Sequence, residues 1–434
     1  MDEIPSPRLT NHSRIAVIGG GPAGSLFALT AQAIAAQLHL RLDITIFERK
    51  DLSAAGPRGC NMCAGILSRH AIDGLAALGI ALPPPIVRAQ IKAYQLHWGD
   101  HSIAIQPSDP SRQVLSVYRA GGPRKSPSAP TAGFDDWLLD QAAERGARLV
   151  PERVDQVAFD PLPRVRTSAR AETFDLVVLA SGVNATPPVL ENRDYVLPQV
   201  EAMAQDELLI EPIPSQTPMD STVHVYFEQP RGLIFGALIP KGNFANVSLL
   251  GRHFGRDSID QFLAVAEVAK IAGNHPPRLC GCRPRVAVAP ARGYYADRFV
   301  AVGDACVTRL YKDGIGSALI TARAAADTAL RFGISRDAFA AHYAPVCRAI
   351  AHDNRYGRAV FGLVGQSKGN ALFMRAMGHA LRSEADESPG PHALSRTLWA
   401  LFTGDANYEE IFWMMFKPKS VGRIASAMFR ALLT

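Results

Sequence analysis

Apolar positions along the chain fall into three patterns, and each predicts a different kind of element. Residues 14–19, 174–180 and 299–302 are short, continuous apolar runs bounded by turn residues. Runs without polar alternation mark strands covered on both faces, as in parallel sheets. Residues 86–117 and 222–250 mix apolar and polar positions at strand spacing. The first stretch is broken near 99–100 and 107–110; the second divides into three strands with turns at 229–232 and 241–243. Such half-polar strands predict a second, antiparallel layer. Further strands are expected at 42–48, which alternates and is β-branched, and at 149–157. A helical period runs over 22–38, with proline at its start, and over 134–145, 316–332 and most of the chain after 336. A polar break falls at 384–391, and 56–68 and 120–133 read as loops, the latter at the surface.

These segments predict an α/β fold. A Rossmann-type domain with a parallel sheet takes residues 14–85, 112–190 and 285–335. An antiparallel-sheet substrate domain takes 86–111 and 191–284, and a helical C-terminal region takes 336–434. The 434 residues are enough for two to three domains, and no internal repeat is present. With 47% hydrophobic and 20% charged residues the chain is neither disordered, collagen-like nor a coiled coil. A net charge of +6 permits contact with anionic lipid or a phosphorylated ligand but is too diffuse to argue for nucleic acid. The start of the chain lacks a basic segment followed by an apolar one, and no run of eighteen apolar residues occurs. The expectation is a cytoplasmic protein whose cysteines are thiols, metal ligands or catalytic groups.

Chemistry concentrates at two places. Gly19-Gly20-Gly21-Pro22-Ala23-Gly24 contains G-x-G-x-x-G between a strand and a helix. Gly19 makes the tight turn, Gly21 lets backbone approach a pyrophosphate, and Gly24 lets helix pack on strand. The helix N-terminus, with Pro22 and Ala23, offers free N–H groups to phosphates. Glu48 ends the second strand, where an acid can accept ribose hydroxyls, and Arg49 beside it joins this set. The second place is Gly303-Asp304, after a buried strand, followed by Gly314-Ile315-Gly316 at a helix start. Asp304 can hold a sugar-like diol; the later glycines can bring N–H groups against an anionic ring edge.

Residues 18–24 with Glu48, 301–305 and 314–316 resemble the FAD-binding set of the p-hydroxybenzoate-hydroxylase fold. Within that fold, residues 58–65 are similar to the cysteine loop of the geranylgeranyl reductase family, and 222–251, ending in Ile239-Pro240-Lys241-Gly242, resemble its substrate-layer strands. The resemblance implies extended FAD held by Gly19, Gly21, Gly24 and Glu48 at the ADP half and by Asp304 at the ribityl–phosphate region. Gly314 and Gly316 would lie near the isoalloxazine ring, and Cys63 in a loop facing it. It implies reduction of carbon–carbon double bonds in isoprenoid chains by reduced flavin. There are departures. Phe235 keeps one aromatic before the Pro turn, but Ala237 stands where a second would be. Ser181-Gly182 stands where hydroxylases carry Asp-Gly. The paired tryptophans of flavin halogenases are absent near this turn. No second dinucleotide fingerprint occurs, so the electron donor stays open between NAD(P)H and a protein.

Cys60 and Cys63 form C-x-x-C, and Cys280 and Cys282 form C-x-C. Three readings stay open: Cys63 as a single active-site thiol beside Arg58, a redox disulfide within C-x-x-C, or all four cysteines as a zinc or iron–sulfur site. Cys306 and Cys347 read as core residues. Arg119 either touches the cofactor pyrophosphate or caps the sheet. Tyr94, His97 and Trp98 read as half-buried sheet residues. In the tail, residues 411–416 are densely apolar. Val421, Ile424, Ala425, Met428 and Leu432 then share one helical face among Lys417, Lys419, Arg423 and Arg430. Such a helix faces the core or lies on the inner face of a membrane.

The expected function is an FAD-dependent oxidoreductase reducing a hydrophobic, isoprenoid-type or quinone-like substrate, with Cys63 or an ordered water supplying the proton. The alternatives are a monooxygenase of the same fold and a membrane-docked electron-transfer flavoprotein with a cysteine-bound redox centre.

Overall fold

The computed structural model describes the chain except residues 1–6, 61–62, 99–100, 108, 110, 113, 127–131, 211–220, 228–231, 252–253, 387–391 and 434, and the side chains at 57, 385 and 430–433. The turn expected at 229–232 and part of the 384–391 break therefore lie outside the described residues, as do the side chains of Arg430 and Leu432.

The three continuous apolar runs become neighbours in one sheet of six strands. Its order is Tyr295–Ala296, Phe299–Ala301, Leu176–Leu179, Ser13–Ile18, Leu42–Phe47 and Arg148–Val150. All pairs are parallel except the first, a short hairpin. Leu176, Val177, Val178 and Leu179 are fully buried, as are Ile15, Ala16 and Val17. This is why they lack polar alternation: both faces are covered, by helices such as Pro22–Gln37 and by strands that include Val154, Val157 and Val165, and each buried large aliphatic side chain contributes about 1.5–3 kcal/mol. Ile18 pairs with Leu179 on one side and Phe47 on the other, so these strands end level. Gly19, Ala180 and Glu48 thus meet at one carboxyl edge, where open α/β sheets bind ligands.

The second large sheet runs Ala204–Leu209, Phe244–Gly251, Leu233–Lys241, Thr222–Tyr226, Ala93–Trp98 and His101–Ile105. It is not wholly antiparallel: Thr222–Tyr226 runs parallel to Ala93–Trp98. These strands come from distant segments, so no hairpin turn dictates their relative direction. The alternation splits its side chains cleanly. Val223, Val225, Phe235, Ala237 and Ile239 face one way, with Tyr94. Tyr226, Leu238, Val247 and Leu249 face the Ser258–Leu263 and Ala266–Ala272 helices.

Two expectations on the loops are corrected. The 149–157 strand is two strands, Arg148–Val150 and Val154–Phe159, separated at Pro151. The 120–133 loop is not wholly at the surface: residues 120–123 are buried. The Gly56 N–H donates to the carbonyl of Gly122 (2.9 Å), and the Gly121 N–H to that of Ala54 (3.3 Å).

Among the described residues the C-terminal region opens with the short helical turns Arg336–Ala338 and Phe339–Tyr343 and continues as the helices Ala344–Ser367, Ala371–Ala385, Ala393–Thr403, Tyr408–Met415 and Pro418–Leu433. Glu384, expected in a polar break, is fully buried at the end of a helix. Its carboxylate accepts from the backbone N–H groups of Leu394 (2.9 Å) and Ser395 (3.0 Å), capping the next helix at its positive end. Arg423 lies 3.7 Å from that carboxylate, so it points inward rather than decorating an outer face. The terminal helix packs Ile424, Ala427 and Met428 against the Ala371–Ala385 helix, leaving Val421 and Ala425 exposed. The expected apolar face is thus rotated: part is core and part is open.

Candidate functional site

At the carboxyl edge of the parallel sheet, Gly19 has φ +110°, and a Cβ there would meet the Ala180 carbonyl oxygen at 2.6 Å. A Cβ at Gly24 would strike the Gly19 carbonyl oxygen, and one at Gly20 would meet Glu48 Cβ at 2.9 Å. The run of glycines is therefore a steric requirement of strand, helix and Glu48 meeting. Gly20 was missed by the fingerprint reading, whose spacing leaves that position free. Gly21 begins the Pro22–Gln37 helix with no side-chain cap and no acid in its first turn. Its orphan N–H groups are left for an anion. Glu48 Oε2 accepts from the Gly20 N–H (2.9 Å) and Oε1 from the Lys50 N–H (2.9 Å). These bonds fix the carboxylate at the cavity wall.

That wall belongs to one continuous cavity. Gly19, Gly21, Pro22, Ala23, Glu48, Arg49, Cys63, Arg119, Asp304, Gly314 and Ile315 all line it. Gly24, Gly303 and Gly316 do not; they are close-packing positions instead. Gly303 has φ +62°, and a Cβ there would meet Ala23 at 2.6 Å. The Gly316 N–H is taken by the Asp313 carboxylate (3.2 Å), which caps the Gly314–Asp327 helix and also accepts from Ser68 Oγ (2.7 Å). The expectation that Gly316 offers its N–H to a ligand is thus corrected. Arg119 is held from the side by a helix and borders the cavity. It donates twice to Asp135, at 2.6 and 2.9 Å, both side chains being buried. Burial opposes its charge, but Asp135 holds the guanidinium above its ordinary pKa. Burial pushes the Asp304 carboxyl up, with Arg119 opposing.

FAD fits these residues on three observations: the glycine cradle that any Cβ would fill, the uncapped helix N-terminus, and a buried Ser181 hydroxyl on the cavity wall with no hydrogen-bond partner.

The other end of the cavity is apolar. Val223, Val225, Phe235, Ala237 and Ile239 come from the second sheet, and Phe402 and Thr403 from the C-terminal helices. Tyr94, expected as an ordinary sheet residue, also lines it, stacked on Phe402 at 5.6 Å and edge-on to Trp399. His97 turns to the opposite face, stacked on His224 and Tyr226. The 222–226 alternation signals the valines; no signal in the sequence places Phe402 there.

The four cysteines also converge. Cys60, Cys63, Cys280 and Cys282 line a second, small cavity beneath Arg119, and Cys63 borders both cavities. The Cys280 and Cys282 thiols hydrogen-bond to each other. Cys280 is held below its ordinary pKa by that bond and Cys282 well above. Among the described residues no group of three or more metal-ligating side chains has a metal-holding arrangement. All six cysteines are free thiols. Arg58 is exposed; the guanidinium within electrostatic range of Cys63 and Cys60 is Arg119. Asn61 and Met62, inside the C-x-x-C, lie outside the described residues. Cys306 and Cys347 are buried, 3.6 Å apart.

Comparison with known proteins bears on the fold. No family model matches the chain. A stretch of 180 residues, 39% of this chain, is 27% identical to a protein of Escherichia coli (strain K12) named as a probable electron transfer flavoprotein-quinone oxidoreductase. The match spans 36% of that relative's length. Among solved structures, a geranylgeranyl bacteriochlorophyll reductase-like protein from Thermoplasma acidophilum aligns with 96% of this chain and all of its own, at TM-score 0.64 and 15% identity. Flavin-dependent brominase Bmp2 aligns over 97% and 99% at TM-score 0.60 and 14% identity. A variant of halogenase PltM in complex with FAD aligns over 98% and 96% at TM-score 0.61 and 12% identity. With its sheet order, its glycine cradle and these alignments taken together, the chain has the fold of the FAD-dependent flavoproteins of the p-hydroxybenzoate-hydroxylase type, the reductase-like branch included.

Proposed function

We propose that the protein is an FAD-dependent oxidoreductase that reduces a carbon–carbon double bond of a hydrophobic, isoprenoid-type substrate. The observation that carries this reading is the continuity of the cavity: a glycine-built nucleotide end and an apolar, sheet-walled end share one space. Gly19, Gly21, the start of the Pro22–Gln37 helix and Glu48 would hold the ADP half. Asp304 would hold the ribityl–phosphate region, with Gly314 and Ile315 beside the ring. Bound FAD supplies hydride chemistry. The chain's own residues do the rest. Tyr94, Phe235 and Phe402 exclude water and orient the apolar substrate. Cys63 lines the cavity and would deliver the proton from its neutral thiol. NAD(P)H or a protein would supply electrons.

We also place the protein in the cytoplasm, in peripheral contact with the inner face of the membrane. Trp413, Phe416, Val421 and Phe429 are exposed beside Lys417 and Lys419, a combination suited to anionic lipid. No helix among the described residues is long and apolar enough to cross a membrane.

The test is anaerobic. Protein reconstituted with FAD and reduced by dithionite is mixed with a geranylgeranyl-chain lipid. Reoxidation of the flavin with a product two mass units heavier supports the reading. In a parallel aerated sample, oxygen consumed in proportion to a product sixteen units heavier would replace it with the monooxygenase alternative. Failure to bind FAD would remove both.

A further inference from the structure

Lys312 sits in the turn between the Phe299–Ala301 strand and the Gly314–Asp327 helix, and its side chain enters the apolar end of the cavity. Its Nζ lies 4.5 Å from the ring centroid of Phe235 and 5.2 Å from that of Phe402. These rings belong to the sheet and to the C-terminal helices respectively. The ammonium is thus held between two ring faces, whose negative quadrupoles attract it. It has no carboxylate or hydrogen-bond partner among the described residues. The neighbouring charges are engaged elsewhere. Arg309 donates to the carbonyls of Gly404 (2.9 Å) and Ala406 (2.6 Å). Asp313 accepts from Ser68 and Gly316, and the Tyr311 hydroxyl donates to Glu201 (2.7 Å).

A cation in such a place has two ways out: it sheds its proton, or an anion joins it. Burial alone pushes the Lys312 pKa down to about 7, so without a counter-ion it is poised between the two states. A wholly apolar ligand would strip its remaining water and leave it uncompensated. A ligand with one negative oxygen would complete the pair.

We propose that the substrate chamber takes an apolar molecule bearing a single oxyanion, of the carboxylate class, and that the Lys312 ammonium is its counter-ion. The proposal rests on the reading that this cavity is the substrate site, and it narrows that substrate from any hydrophobic chain to an acidic one. Lys312 is then a specificity residue: it rewards the acid and penalises the matching neutral ester.

The test compares cis-parinaric acid with its methyl ester by fluorescence titration of the FAD-loaded protein between pH 6 and pH 9. The acid should bind at least tenfold tighter than the ester at pH 6. That advantage should shrink as pH rises and the ammonium deprotonates. Other groups face this space. Tyr94 is kept protonated by burial, while Asp304 and Asp313 are raised by burial, and Arg309 and Tyr311 line the same wall. Lys312→Met separates them: it should erase the preference while leaving ester binding within about threefold, and Lys312→Arg should retain the preference. Equal affinity of acid and ester for the unaltered protein would overturn the proposal. So would a preference that survives in Lys312→Met, or failure of both probes to bind. Flavin absorbance is recorded in the same samples. Loss of FAD alone would count against the oxidoreductase reading, whereas the acid-to-ester ratio reports on Lys312 either way.

Discussion

The two ends of the cavity are built by opposite means. The nucleotide end is made of backbone: glycines that admit no Cβ, an uncapped helix start, and one carboxylate locked by two N–H groups. Its residues at 19–24 and 48–49 are close in sequence and their spacing is fixed by a strand, a turn and a helix. The substrate end is made of side chains from Tyr94, the 222–239 strands, Lys312 and Phe402. Most of these side chains stand on ordinary strand or helix backbone, although Lys312 sits between Tyr311 and Asp313, at φ +62° and +51°. The first end tolerates almost no change, whereas the second sets what is bound.

Substitutions should separate the two ends. Gly24→Val puts atoms into the Gly19 carbonyl, and the protein should purify without absorbance near 450 nm, losing flavin essentially completely; retained flavin would break the contrast at its strongest point. Arg119→Met leaves Asp135 charged and buried, and unfolding in urea should show a loss of about 3–5 kcal/mol. Cys63→Ser should keep FAD content intact while lowering turnover about 100-fold, as expected for loss of a proton donor. Unchanged turnover and pH profile would assign the proton to water. Phe235→Ala should weaken an apolar ligand about tenfold and leave flavin affinity alone. Replacing Trp413, Phe416 and Phe429 together by Ser should reduce sedimentation with anionic vesicles about threefold, with neither end of the cavity affected; identical sedimentation would remove the membrane contact.

Legibility in the sequence follows the same division. The parallel strands announce themselves because both faces are buried, and the fingerprint announces itself because a pyrophosphate turn permits few alternatives. The packing role of Gly24 follows from the fingerprint itself, but those of Gly303 and Gly316 are less legible, since close packing and ligand contact ask for the same residue. Only the Asp313 cap shows which of these Gly316 serves. Glu384 looked like a break because a lone acid is polar in any pattern; its burial depends on a helix start ten residues later. Phe402 and Lys312 could not be placed at all. Their meeting with Phe235 depends on how the C-terminal helices dock, and single-chain periodicity carries no information on docking direction. The convergence of the four cysteines was legible as a count but not as an arrangement.

The position of Phe402 and Thr403 in the cavity wall has a consequence for how the protein is made. A ribosome delivers the chain from its N-terminus, and domains tend to fold as they emerge. Every residue of the nucleotide cradle, through Gly314 and Ile315, is synthesised well before the helix that carries Phe402. The nascent protein therefore has a complete place for its cofactor while the opposite chamber still lacks a side. Loading with FAD can precede closure, which waits for the Ala393–Thr403 helix to reach the substrate space.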